Sequence, residues 1–129
     1  MIDVTVLGPV EIRVPPEPSL SRVLRLAASG LASLAGFTVD EIEDVKIAVS
    51  EVLIALIEHG GGHPVDFHIS VDETCIRVEG RTVVDSFDVH HPDLILCRVV
   101  LAEVCTEHSI DLRDDNVHIS ATIFHAHGE

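Results

Sequence analysis

Between Phe37 and His59 the apolar positions recur at helical spacing. Ile42, Val45, Val49, Val52, Leu53 and Leu56 fall three and four apart, so one stripe of a helix carries them all. The start signal is local. Thr38 can accept from a free amide of the first turn, and Glu41 can reach back to the cap's own N–H. Phe37 and Ile42 stand where a hydrophobic staple would pack, and Gly60, Gly61 and Gly62 stop the helix.

Elsewhere the period shifts between two and 3.6. Val4 and Val6, then Val10, Ile12 and Val14, alternate with polar residues around a Gly8-Pro9 break, which predicts a strand, a turn and a second strand. Pro15, Pro16 and Pro18 end that run. A first helix is expected from Ser19, its N-cap, to Ala35, with Leu20, Val23, Leu24, Ala27, Leu31 and Leu34 buried and Gly36 closing it. Val65, Phe67, Ile69 and Val71 predict a strand, Asp72-Glu73 a turn, and Ile76 and Val78 the returning strand. Residues 80–91 lack a pattern and read as a loop. Pro92 suits the first position of a third helix, with Asp93 at the positive end of its dipole. Leu94, Cys97, Leu101, Val104 and Cys105 form its stripe, ending near Glu107. A closing hairpin pairs Ile110 and Leu112 with Val117, Ile119, Ala121 and Ile123 around Asp114-Asp115-Asn116. This order predicts one α+β domain over 1–129: a two-layer sandwich with three helices on one face of a mostly antiparallel mixed sheet.

Composition narrows the partners. The 129 residues hold no Trp or Tyr, so the core must be aliphatic. Cys75, Cys97 and Cys105 lie in apolar patterns and read as reduced core residues. The start shows no basic region followed by an apolar run, and charge interrupts every long apolar stretch. No signal peptide or membrane span is therefore expected, and the location is read as cytoplasmic. Acidic side chains outnumber basic ones 22 to 8, for a formal charge of −14. That field repels phosphate backbones, so nucleic acid and anionic membrane are disfavoured and a protein with a basic face is expected. The nine histidines include the close pairs His59/His63, His90/His91 and His125/His127. No cysteine joins them at zinc spacing, so no metal site is expected. Glu51, Ala55 and His59 stack on one side of the second helix, an arrangement that by itself defines no chemistry.

The stretch DEIEDVKIAVSEVLIALIEH and the order of elements resemble the GHKL (Bergerat-fold) ATPases, most nearly the anti-sigma factor serine kinases. The resemblance implies an E-x-x-x-N-x-x-x-H box on the second helix, with a Glu as general base and an Asn as magnesium ligand. Glu51 and His59 match, whereas Ala55 occupies the Asn position and offers no oxygen to Mg²⁺. Ser50 and Glu58 are expected at other angles of the helix. A D-x-G-x-G box should follow within Val78–Asp88. It is absent, leaving Glu79 or Asp85 as the nearest candidates for an adenine reader. A glycine-rich lid should precede the third helix, but HHPDLILCR stands there. The resemblance thus implies a fold kept without its ATPase site and with no cofactor, its empty cavity filled by Ile54, Ala55 and Val83. Such a protein would act by binding a sigma factor, a STAS-type antagonist or a related kinase-like domain, with a homodimer as the implied assembly and Arg22 and Arg25 on the first helix as the expected contact surface. The alternative it implies is an active Mg-ATP-dependent serine/threonine kinase with Glu51 as base.

Overall fold

A computed structural model of the chain describes residues 8–126. The expected strand at Val4–Val6 and the His127 of the tail pair lie outside them. The elements are β1 (Val10–Val14), a single 3₁₀ turn (Pro18–Leu20), α1 (Ser21–Leu34), α2 (Val39–His59), β2 (Val65–Val71), β3 (Cys75–Val83), α3 (Pro92–Val104), β4 (Glu107–Arg113) and β5 (Asn116–Phe124). The strands form one sheet in the order β1-β2-β3-β5-β4, and every pair is antiparallel. The architecture is the α+β sandwich that the pattern predicts. No helix among the described residues is long and apolar enough to cross a membrane.

The register sorts the sheet into two faces. Val65, Phe67, Ile69, Ile76, Val78, Val117 and Ile119 are buried against the helices. The opposite face carries polar rows. Glu11, His68, Glu79, Ser120 and Ser109 lie side by side across the five strands, and Arg13, Asp66, Arg81, His118 and Asp111 form the next row. Within that second row Asp66 accepts from Arg81 at 2.9 Å and from Arg13 at 3.3 Å.

α2 lies across β3 and β5, with α1 along one side and α3 along the other. Val45, Val49, Val52, Leu53 and Leu56 are essentially inaccessible to solvent, as the stripe requires. Gly80 permits the close approach of helix and strand. A Cβ there would stand 2.7 Å from Leu56 Cδ1 and 2.8 Å from Val52 Cγ1. The capping box forms as expected. Thr38 Oγ1 accepts from the Glu41 amide at 3.1 Å, and Glu41 accepts from the Thr38 amide at 2.7 Å.

Three local expectations are corrected. β3 continues through Val83, so the first part of the expected 80–91 loop is strand. Ser19 caps nothing; Glu17 caps the 3₁₀ turn, and α1 starts without a side-chain cap. The buried residues of α1 are Leu24, Ala28 and Ala32, while Val23 and Leu34 face solvent. The stripe is rotated from the expected one because small residues let α1 lie close to α2.

Candidate functional site

The last turns of α2 and the first turn of α3 enclose a pocket of about 270 Å³. Glu51, Ile54, Ala55, Glu58 and His59 line it from α2, and Pro92, Asp93, Leu94, Leu96 and Cys97 from α3. Four-residue spacing on α2 puts Glu51, Ala55 and His59 on this wall, as expected. Glu58, one further turn along from Ala55, joins them, contrary to the expectation that it points elsewhere. Ser50 does point away, accepting from Arg25 at 3.0 Å.

The two adenine-reader candidates do not reach this wall. Val78 and Gly80 face α2, so the intervening Glu79 lies on the opposite side of the sheet. There it sits 3.4 Å from His118 Nδ1 and 4.0 Å from Arg77. Asp85 is exposed in the segment after β3 and is not among the pocket residues. Val83 points away as well, so of the expected filling residues only Ile54 and Ala55 contribute. The polar group that β3 does present on the helix side is Thr82. It is buried, and its hydroxyl donates to the Pro64 carbonyl at 3.0 Å. Sequence reasoning missed it because the segment was read as loop.

The pocket is acidic. Glu51, Glu58 and Asp93 are its charged residues, and no Lys or Arg lines it. Burial pushes the Glu51 carboxyl up from its ordinary value, and the neighbouring Glu58 charge adds to that. Burial likewise pushes the Cys97 thiol up to about 11, with the Glu51 charge contributing, so Cys97 is not a reactive thiolate at neutral pH. The N-terminus of α3 is already occupied. His91 is its N-cap, and Nδ1 accepts from the Asp93 amide at 3.1 Å. Pro92 has no N–H, and Asp93 places a negative charge where an anion would bind.

Among the described residues the histidine pairs chosen by sequence proximity do not come together as sites. His63 and His90 are exposed, and His125 is spent on the start of α2. The structure instead brings together His59 and His91, whose ring centroids lie 4.9 Å apart. Asp93 completes a group whose ligand atoms all lie within 4.8 Å of one another. No local spacing could reveal this pairing, since it depends on the packing of α2 against α3.

Mg-ATP does not fit these residues. Mg²⁺ binds hard oxygens, and the family's amide oxygen is replaced at Ala55 by a methyl group. A triphosphate meets three carboxylates and no cationic side chain.

The sheet order and the three helices define an α+β fold of the GHKL type. No family model matches the chain. Among curated proteins it is 39% identical over 87 residues to the serine-protein kinase RsbW of Bacillus subtilis, covering 61% of this chain and 52% of that protein. It is 32% identical over 109 residues to RsbW of Bacillus licheniformis, covering 79% and 63%. The chain spans about half the length of most of the curated relatives it matches. Among solved structures, the RsbU and RsbW domains of a Mycobacterium tuberculosis protein superpose with a TM-score of 0.71 at 14% identity, covering 89% of this chain and 32% of that one. A chain of the SiaB–SiaC complex of Pseudomonas aeruginosa gives 0.68 at 14% identity, covering 88% of each. The structural likenesses are likenesses of fold. Together with the sequence matches they show that the chain is a homologue of the anti-sigma factor serine kinases and carries their GHKL-type fold.

Proposed function

We propose that the chain is a regulator of the partner-switching type that works by binding another protein and has given up phosphotransfer. The observation that carries this reading is the composition of the pocket: Ala55 between Glu51 and His59, three carboxylates, and no cationic residue. Lost metal ligation alone removes much of phosphoryl-transfer catalysis, because that chemistry is mostly positioning and charge neutralisation. The class of partner is the one the family resemblance implies: a sigma factor, a STAS-type antagonist, or a second kinase-like domain, including another copy of this chain.

The contact surface on this reading is the outer side of α1. Val23, Leu26 and Leu34 are exposed there, Leu26 at 70%, with Arg22 beside them. Arg25, the other expected contact, is tied into the fold through Ser21 at 2.9 Å and Ser50 at 3.0 Å. Its charge reversal would test α1–α2 packing rather than partner binding.

One observation favours the rival reading of an active kinase. Glu51 is a partly buried pocket carboxylate with a raised pKa, as a general base would be. The two readings separate in a single experiment. The purified chain is incubated with Mg-ATP and STAS-type and sigma-factor proteins from the source cell, and both complex formation and phosphate transfer are followed. Co-elution with one of these proteins without nucleotide, and no phosphate transfer, is the expected result. Phosphate transfer that Glu51→Ala abolishes would overturn the binding-only reading.

A further inference from the structure

We propose that His59, His91 and Asp93 form a site for a borderline divalent transition-metal ion, zinc or its cobalt and nickel analogues, at the mouth of the α2–α3 pocket. This goes beyond the partner-binding reading and does not depend on it.

Geometry comes first. The candidate ligand atoms of the three residues lie within 4.8 Å of one another. His91 Nδ1 and Asp93 Oδ2 are 3.9 Å apart. Two ligands held about 2.0–2.2 Å from one tetrahedral zinc ion stand roughly 3.3–3.6 Å apart, so this pair needs to close by about 0.5 Å. His59 needs to close by up to about 1.4 Å, within the reach of a side-chain rotation. It is free to do so. Among the described residues no hydrogen bond holds its imidazole, which rests edge-on against His91 and Phe87.

Electrostatics points the same way. The pocket behind the three residues carries Glu51 and Glu58 in addition to Asp93, and no cation offsets them. His59 is the last residue of α2, where the helix's free carbonyls present partial negative charge. A site that repels phosphate therefore attracts a cation. The ligand chemistry then selects among cations. Two imidazole nitrogens and a carboxylate suit zinc, cobalt or nickel, whereas magnesium and calcium take all-oxygen shells. Three protein ligands leave a fourth tetrahedral position for water.

One bond must be exchanged. His91 Nδ1 accepts from the Asp93 amide at 3.1 Å, so the neutral ring carries its proton on Nε2. The lone pair that caps α3 is the one a metal would take. Metal binding and capping therefore compete, and the Asp93 amide is a built-in reporter of occupancy.

The test uses the full chain without a histidine tag, stripped with EDTA and titrated with zinc alone, no nucleotide present. Calorimetry should show one saturable equivalent that EDTA reverses, and the Asp93 amide resonance should move as it fills. Asp93 is exposed, so Asp93→Asn should leave the fold intact while weakening zinc at least about tenfold. His59→Ala should do the same. The double variant His68→Ala/His118→Ala, on the far face of the sheet, should bind as tightly as the parent. Absence of a saturable equivalent would overturn the proposal. So would zinc affinity unchanged by both Asp93→Asn and His59→Ala, or magnesium bound as tightly as zinc. None of these outcomes bears on phosphate transfer or partner capture, so the two proposals stand or fall separately.

Discussion

Two glutamates of α2, Glu41 in its first turn and Glu51 in the pocket wall, meet opposite surroundings. At the N-terminal end Glu41 is matched, although its neighbour Asp44 is not, its carboxyl being pushed up by burial and by the charges of Asp40, Glu103 and Glu41. Glu41 accepts from the Thr38 amide, from the Ala126 amide at 2.7 Å, and pairs with His125 Nδ1 at 2.8 Å, while the His125 ring stacks on Phe37. Burial alone would raise the Glu41 carboxyl, but the two amides and the imidazole more than offset it and hold it at about 2. At the C-terminal end Glu51 faces Glu58 with no cation among the pocket residues, and its carboxyl is pushed up instead. Matched charges fasten the last strand to the helix start. The unmatched pair Glu51 and Glu58 is the feature on which both proposals rest.

The largest expected effect lies on the core face of α2, turned away from both glutamates. Leu56→Ala, on the face packed against Gly80, should cost about 2–5 kcal/mol in denaturant unfolding, because a buried methylene cluster is lost and a cavity remains. A change below 1 kcal/mol would show that α2 is not the centre of the core.

Next comes the matched end. Glu41→Ala removes a charged acceptor used by two amides and His125, so a loss of roughly 1.5–3 kcal/mol is expected at neutral pH. The sign with pH follows from the depressed pKa. The folded value of about 2 lies below the ordinary 4.5, so this stabilisation is complete above pH 4.5 and is lost as pH falls toward 2. Acid titrations of stability should therefore be steeper for the parent than for Glu41→Gln.

The unmatched end should behave in reverse. Glu51 is raised, so its contribution is present below its ordinary value and is lost as pH rises through the folded one. Glu51→Gln should stabilise the protein slightly at neutral pH, by about 0.5 kcal/mol, and flatten the pH dependence above 4.5. Destabilisation by this variant would mean that the pocket carboxylates are matched after all. The smallest effect on stability is expected on α1, where Leu26→Glu should leave the unfolding midpoint within about 0.5 kcal/mol of the parent while abolishing partner co-elution.

What the sequence disclosed tracks the range of the interactions. The cap of α2 was legible because Thr38 and Glu41 are three residues apart and satisfy each other. The share that His125 takes in it was not, since it arrives from the other end of the chain. The helix stripe of α2 was legible, whereas that of α1 was misassigned by its apolar content: large side chains at Val23 and Leu34 looked like core, but Ala28 and Ala32 are what contact allows. Glu51, Ala55 and His59 could be placed on one wall from helical spacing alone. Glu79 could not be placed, because only the strand register through Gly80 shows which face it takes. The meeting of His59 with His91 required the α2–α3 packing itself.

The most direct test of the pocket's character is thermal unfolding of the full chain with and without excess Mg-ATP. A ligand at a hundred times its dissociation constant stabilises the folded state by about 2.7 kcal/mol, a shift of several degrees for a domain of this size. An unchanged midpoint up to millimolar nucleotide is expected of a pocket that presents Ala55 and three carboxylates to the phosphates. A concentration-dependent rise of several degrees, lost in Glu51→Ala, would contradict it and return the chain to the kinases.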